Sequence, residues 1–371
     1  MRQNLFGDKL FALIVAILVV GGAAIFLSAA LGFLARENSG IGHLALTQLM
    51  LGLIPGLAAL FIIRMTPPAV IERFVLPFYV GSLLLTALVF VPGLGHHTNG
   101  ATRWIDLGPI TVQPAEFLKI AVILMLSLYL AKMRHKIGEM RYGLLGFAVI
   151  IGIPALLLLA QPNTSTVLVI GIAASAMYFV AGAPLRDFAI LGIVAVVLLA
   201  GLVATRPYLM HRIQTFIHPE HNALTNGYQI QQSLIAIGSG GLLGRGYGQS
   251  VQKFNYLPEP AGDSVFAVYG EEFGFLGTIV LVLLFTALAT RGFAIAAGAA
   301  SIFGSLAATA LTLIITMSAF MNMGAMLGIM PLTGLPLPFV SHGGTALLAA
   351  LASVGLILNI AAHRPKRKAH H

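Results

Sequence analysis

Long apolar runs separated by short charged stretches organise the whole chain. They fall near residues 10–34, 43–63, 74–91, 115–132, 143–160, 166–182, 187–204, 264–290, 306–328 and 344–362. Most are about 18–25 residues long, which is what a helix needs to cross a hydrocarbon core of about 30 Å. A membrane barrel would instead show alternating segments of about ten residues. Backbone groups in lipid must be satisfied within the segment itself, and a helix does this. The pattern predicts an all-α polytopic membrane protein with about ten transmembrane helices. The first run, Leu10 to Leu34, is too long for a signal-peptide core and lacks an evident cleavage site, so it reads as the first span.

Composition supports the same solvent. The 371 residues are 58% hydrophobic and 9% charged, with mean hydropathy +0.93. A soluble domain carries about 25% charged residues, enough to cover its surface. The formal net charge is +9. In a soluble protein that balance would raise nucleic acid as a partner. Here the charges sit in short loops, so they read as topology, and no nucleic-acid partner is expected. With the N-terminus in the cytoplasm, fourteen of the 21 Lys and Arg residues fall on inner segments, six on outer ones, and Lys119 lies within a span. That asymmetry orients ten spans with both termini inside. Cysteine is absent, which excludes disulfides.

The expected organisation is one transmembrane unit over 1–371, closed by a basic cytoplasmic tail at 363–371. Two outer loops are longer than connectors require. One runs from about Pro92 to Pro114. The other, 205–263, is a large extracytoplasmic loop between spans 7 and 8. Loops beyond about 15 residues are usually functional or disordered. This one holds Gln229, Gln231 and Gln232 and a glycine-rich stretch from Gly238 to Gly248. No internal repeat is evident, which weighs against an inverted-repeat transporter. Pro331 to Pro338 cannot continue a helix and reads as a constrained turn or re-entrant segment.

Ionisable groups inside spans are expensive in lipid and so mark candidate sites. Glu116, Lys119, Glu271 and Glu272 qualify. Glu116 and Lys119 are three apart on one helix face, which suits either a structural ion pair or a site near the outer surface. Asp263 precedes the eighth span, where Asp is also a favoured N-cap. Helical spacing of about 100° per residue puts Glu271 nearer the Asp263 side and Glu272 on the opposite face, toward another helix. Arg103, Arg206, Arg212, Arg245 and Lys253 supply positive charge for a phosphate on the outer side. The glycines match neither the dinucleotide nor the P-loop spacing. His96-His97 and His218-Pro-Glu-His221 match no zinc spacing, and metal ligands remain unassigned. His370 and His371 read as an expression remnant.

Six blocks in order resemble the SEDS family (shape, elongation, division and sporulation proteins of the FtsW and RodA type). They are Asn99-Gly-Ala-Thr-Arg-Trp-Ile105, Gln113-Pro-Ala-Glu-Phe-Leu-Lys119 and Gln161-Pro-Asn-Thr-Ser-Thr166, then Gly227-Tyr-Gln-Ile-Gln-Gln-Ser233, the stretch from Leu257 through Asp263 to Gly274, and Gly334-Leu-Pro-Leu-Pro-Phe-Val-Ser-His-Gly-Gly344. Departures from the family pattern are Ala261-Gly262 before Asp263, Asn163 in place of Asp, and His342 in place of Tyr.

The resemblance implies a ten-span fold and a peptidoglycan glycosyltransferase that polymerises lipid II beside a class B penicillin-binding transpeptidase, in contact with membrane lipids at the bacterial cytoplasmic membrane. It implies catalytic roles for Asp263, Glu116 and Lys119, and substrate binding by Arg103 and Lys253. Arg245, Gln232, Glu271 and Ser341 join them as expected substrate-binding residues. A carboxylate within reach of a sugar hydroxyl can take its proton, which makes Asp263 the expected base. The pyrophosphate leaving group calls for Arg, Lys or a divalent cation such as Mg²⁺ or Mn²⁺. The competing readings are a lipid II flippase and a non-catalytic scaffold for division or elongation complexes.

Overall fold

The computed structural model describes residues 8–32, 45–98, 101–108, 110–218 and 226–364. The basic tail from 365 onward, including His370 and His371, lies outside them. So does His221 with its neighbours in the large loop.

The chain forms helices α1 Lys9–Ala30, α2 Ala45–Met65, α3 Pro68–Ala87, α4 Pro114–Lys132, α5 Leu144–Ala160, α6 Thr164–Val180 and α7 Leu185–Thr205. Then follow α8 Pro207–Ile217, α9 Asn226–Ser239, α10 Val265–Ala297, α11 Ile302–Met326 and α12 Gly344–Ala362. Eight of these are long and apolar enough to cross a membrane. The other two expected spans, α5 and α6, are apolar helices of 17 residues each. Such a helix is about 25 Å long. The protein is thus a multi-pass helical membrane protein, as the run lengths predict.

Burial divides the helices. α4, α11 and α12 are mostly covered by their neighbours and carry the core. α7 buries Asp187 alone, so nearly its whole surface is left for lipid. Proline sits at the first turn of α3, α4 and α8, where its missing N–H has no intrahelical partner to lose. At the other end of the bundle Asp8 caps α1, accepting from Phe11 N at 3.1 Å, and pairs with Arg291 at 2.8 Å. Asp8→Ala removes a cap and an ion pair and is expected to lower stability by about 1–2 kcal/mol, read as a lower thermal midpoint.

Two loops carry structure that apolar patterning does not reveal. The first holds a three-stranded antiparallel sheet, β1 Gly95–Thr98, β2 Ala101–Asp106 and β3 Thr111–Val112. Thr102, Trp104 and Ile105 are good strand formers, but the strands are too short to stand out. The large loop contains α8 and α9. α8 is amphipathic, burying Leu209 and Thr215 while Met210, Ile213 and Ile217 stay exposed. Residues 331–337, the proline-rich segment, have no regular structure and lead through a turn into α12.

Candidate active site

Asp263 stands in the turn that enters α10. The structure gives the cap position to Ser264, whose side chain makes no capping hydrogen bond. The Asp263 carboxylate is therefore not consumed by the helix end. Its Oδ1 accepts from Gln229 Nε2 at 3.1 Å, and the same amide donates to Ser264 Oγ at 2.9 Å. Burial pushes the Asp263 pKa up to about 6, and the neighbouring Glu259 adds to the rise. The Gln229 hydrogen bond and the field of Arg212 oppose it. Gln229 rather than Gln232 supplies the amide, and Gln232 lies half-buried one turn along α9.

Two guanidinium groups approach the same region. Arg103, on β2, donates to the carbonyls of Gln161 at 3.2 Å and Pro162 at 2.5 Å, tying the small sheet to the turn between α5 and α6. Arg212, on α8, lies 5.9 Å from the Tyr208 ring centre. Burial lowers the pKa of both, and Arg212 lowers that of Arg103 further. Two cations held in mutual repulsion suit an anion between them.

Deeper in the bundle Lys119 Nζ pairs with Glu116 Oε1 at 2.9 Å, and both side chains are buried on α4. They line a cavity of about 40 Å³ with Ser318 of α11 and Ser341. That volume accommodates a few waters, not a sugar.

The other expected substrate ligands make contacts within the protein. Lys253 is fully buried. Its Nζ donates to Glu272 Oε1 at 2.8 Å, to Gly248 O at 2.8 Å and to Ser28 Oγ at 3.0 Å. An ammonium has three donors, so none is left for a phosphate. Glu271 does not join Asp263. Its carboxylate accepts from Ser250 Oγ at 2.6 Å, Val251 N at 3.1 Å and Gln252 N at 3.2 Å. Arg245 stays exposed, with Nε 3.5 Å from Glu271 Oε1. Ser341 Oγ donates to Gly262 O at 2.6 Å and accepts from Leu337 N at 2.8 Å.

Just past these two glutamates α10 is broken. Gly274 adopts φ 66° and ψ −165°, so the helix is two arms rather than one. Glycine alone tolerates that backbone readily. The glycine-rich stretch wraps the break. Arg245 N and Gly246 N donate to the carbonyls of Glu271 and Glu272 at 3.0 Å each, while Phe275 N donates to Gly241 O at 2.9 Å. A Cβ on Gly244 would collide with the Glu272 carbonyl. The glycines thus serve close backbone packing, and both glutamates clamp the wrapping segment.

A family model for FtsW, RodA and SpoVE, described as a cell cycle protein, matches residues 8–366. The chain belongs to the FtsW/RodA/SpoVE family. Among its relatives, the stage V sporulation protein E of Bacillus subtilis is 40% identical over 276 residues, 74% of this chain and 75% of that protein. A probable peptidoglycan glycosyltransferase FtsW of Trichlorobacter lovleyi is 35% identical over 96% of this chain and 93% of that one. Among solved structures, a chain from a peptidoglycan synthase complex aligns with TM-score 0.76 at 29% identity, covering 95% of this chain and 97% of that one. Rod shape determining protein RodA of Thermus thermophilus aligns with TM-score 0.65 at 30% identity, covering 94% and 96%.

In this FtsW/RodA/SpoVE member, the described residues include no group of three His, Asp or Glu side chains that could hold a metal ion. The acids near the Asp263 end are divided, with Glu271 and Glu272 committed to the wrapping segment. Gln229, Asn322 and Gln48 were not singled out as site residues from sequence. The available signal for the last two was an amide side chain inside an apolar run, which in membranes bonds across helices.

Proposed function

We propose that this family member is a peptidoglycan glycosyltransferase that polymerises lipid II into glycan strands, with Asp263 as general base. The activity rests on the family and on relatives that carry this name across most of their length. The role of Asp263 is supported by one observation above others, a half-buried carboxylate with a pKa of about 6 whose Oδ1 accepts from the Gln229 amide. A base titrating near the working pH is largely ionised yet still basic enough to take a proton.

In the proposed step Asp263 removes the proton of the attacking sugar hydroxyl as its oxygen bonds to the anomeric carbon of another lipid-linked sugar. The anomeric carbon–oxygen bond breaks, and undecaprenyl pyrophosphate departs with the electron pair. Arg103 and Arg212 stabilise the charge that builds on it. The buried Glu116–Lys119 pair lines a cavity with Ser341, whose hydroxyl holds the turn before Asp263, and it stiffens the wall of the site. The prenyl tail remains in the bilayer, and the reaction takes place at the extracytoplasmic face of the bacterial membrane, the side to which the Lys and Arg asymmetry assigns the Asp263 loop. The structural likeness to a chain of a peptidoglycan synthase complex favours a class B penicillin-binding transpeptidase as partner.

Purified protein incubated with lipid II, with Mg²⁺ or Mn²⁺ supplied and with or without such a transpeptidase, is expected to yield glycan chains on a gel. The rate should rise with pH and reach half its plateau near pH 6, because the ionised form of Asp263 is the active one. Below that it should fall about tenfold per pH unit. A folded protein that yields no chains with its partner, but moves lipid II across vesicles, overturns the polymerase in favour of transport.

A further inference from the structure

The turn that carries Asp263 has no regular secondary structure to hold it. Even so, its carbonyls are gripped one after another. His342 N donates to Ala261 O at 2.6 Å. Ser341 Oγ donates to Gly262 O at 2.6 Å. Asn322 Nδ2 donates to Asp263 O at 2.7 Å. Three consecutive residues are thus fixed by donors from α11 and from the turn before α12.

The gripping residues are themselves anchored. Asn322 is 1% exposed and uses the same amide nitrogen to hold Leu335 O at 2.8 Å. Its Oδ1 is buried without a hydrogen-bond partner. An orphaned buried acceptor is disfavoured, so the side chain is held in place by what its nitrogen does. Ser341 is fixed by Leu337 N, and its carbonyl accepts from Gln48 Nε2 at 3.2 Å. Gln48 Oε1 accepts in turn from Gly343 N at 2.9 Å. Gln48 opens the π-helical stretch Gln48–Leu53 of α2, and such stretches are frequent at functional sites. Ser165 Oγ, from α6, holds Thr333 O at 2.7 Å.

We propose that Asn322 and Ser341 are positioning residues that form a carbonyl clamp, setting where the Asp263 carboxylate stands without touching it. With its backbone carbonyls held, the turn presents the Asp263 side chain to Gln229. The charged groups facing it there are Glu259 of the same turn and Arg212 of α8. The clamp also gives the proline-rich segment a task. It is the strut through which α2, α6 and α11 reach the base. This inference rests on the reading of Asp263 as general base.

The test compares Asn322→Ala, Ser341→Ala and Ser341→Thr with wild type and Asp263→Ala in the lipid II assay, with rates normalised to folded protein. Misplacing a catalytic group by about 1 Å costs about 10²-fold. Asn322→Ala is expected to lower kcat roughly 10- to 100-fold with little change in KM. The acid limb of its pH–rate profile should move to lower pH as the freed carboxylate meets water. Ser341→Thr keeps the hydroxyl and should recover most of what Ser341→Ala loses. If Asn322→Ala fails to fold, the Ser341 pair decides by the same criteria. Wild-type kcat in the Ala variants, or losses that track folded fraction with an unmoved acid limb, overturn the clamp. An active Asp263→Ala instead removes the base, and the clamp with it. An inactive Asp263→Ala beside normal Asn322 and Ser341 variants removes the clamp alone.

Discussion

Asp263→Asn is expected to reduce lipid II polymerisation by about 10²–10⁴-fold, the usual contribution of a general base, while the protein stays folded. Asn keeps the shape and an oxygen that can accept from Gln229, at 3.1 Å in the native protein. What it loses is the capacity to take a proton. Stability should move the other way. The folded protein binds the Asp263 proton more tightly than the unfolded chain does, since the pKa rises from 3.8 to about 6. That contribution is fully present below the unfolded value and is lost as pH rises through about 6. Above that pH the native carboxylate is a buried charge that Asn does not carry. The variant should therefore melt higher than wild type at pH 8 and match it near pH 4. An inactive variant that also melts lower at pH 8 would recast Asp263 as a structural anchor.

The second large effect is at Lys253. Lys253→Met leaves Glu272 buried against Ser28 with no cation, and Glu272 Oε2 already lacks a hydrogen-bond partner. Breaking a buried pair from one side costs about 3–5 kcal/mol, or a thermal midpoint lower by roughly 10 °C. Removing the charge from both partners is far milder. Lys253→Met with Glu272→Gln keeps an acceptor for Ser28 and should recover most of the lost stability and the activity with it. A phosphate ligand behaves differently. Had Lys253 met the pyrophosphate, the single variant would melt like wild type and show a raised KM, and the second substitution would restore nothing. Thermal midpoints and steady-state kinetics on the same three proteins separate the two.

Apolar run lengths determined the membrane class and the helices, because crossing lipid imposes a length and a polarity that any sequence must display. The pairing of Glu116 with Lys119 was equally legible, since residues three apart on a helix are neighbours whatever surrounds them. The family resemblance, carried by ordered local blocks, pointed to Asp263. Other contacts were beyond local reading. A helical wheel run from Asp263 through Glu271 gives a direction around one helix but names no partners, and it does not register the break at Gly274, three residues past Glu271. The wrapping segment then meets Glu271 and Glu272 from outside the helix. Lys253 lies in a loop between two helices, so its charge read as available to a phosphate. Its burial depends on Ser28, 225 residues away in sequence. The clamp on Asp263 joins residues 59 and 79 positions distant through side-chain amide and hydroxyl donors. By itself the sequence determined what is periodic or local in this protein. Which loop charges are neutralised, and which carboxylates the packing occupies, was decided by the tertiary structure, because hydrogen-bond donors and burial come from segments far apart along the chain.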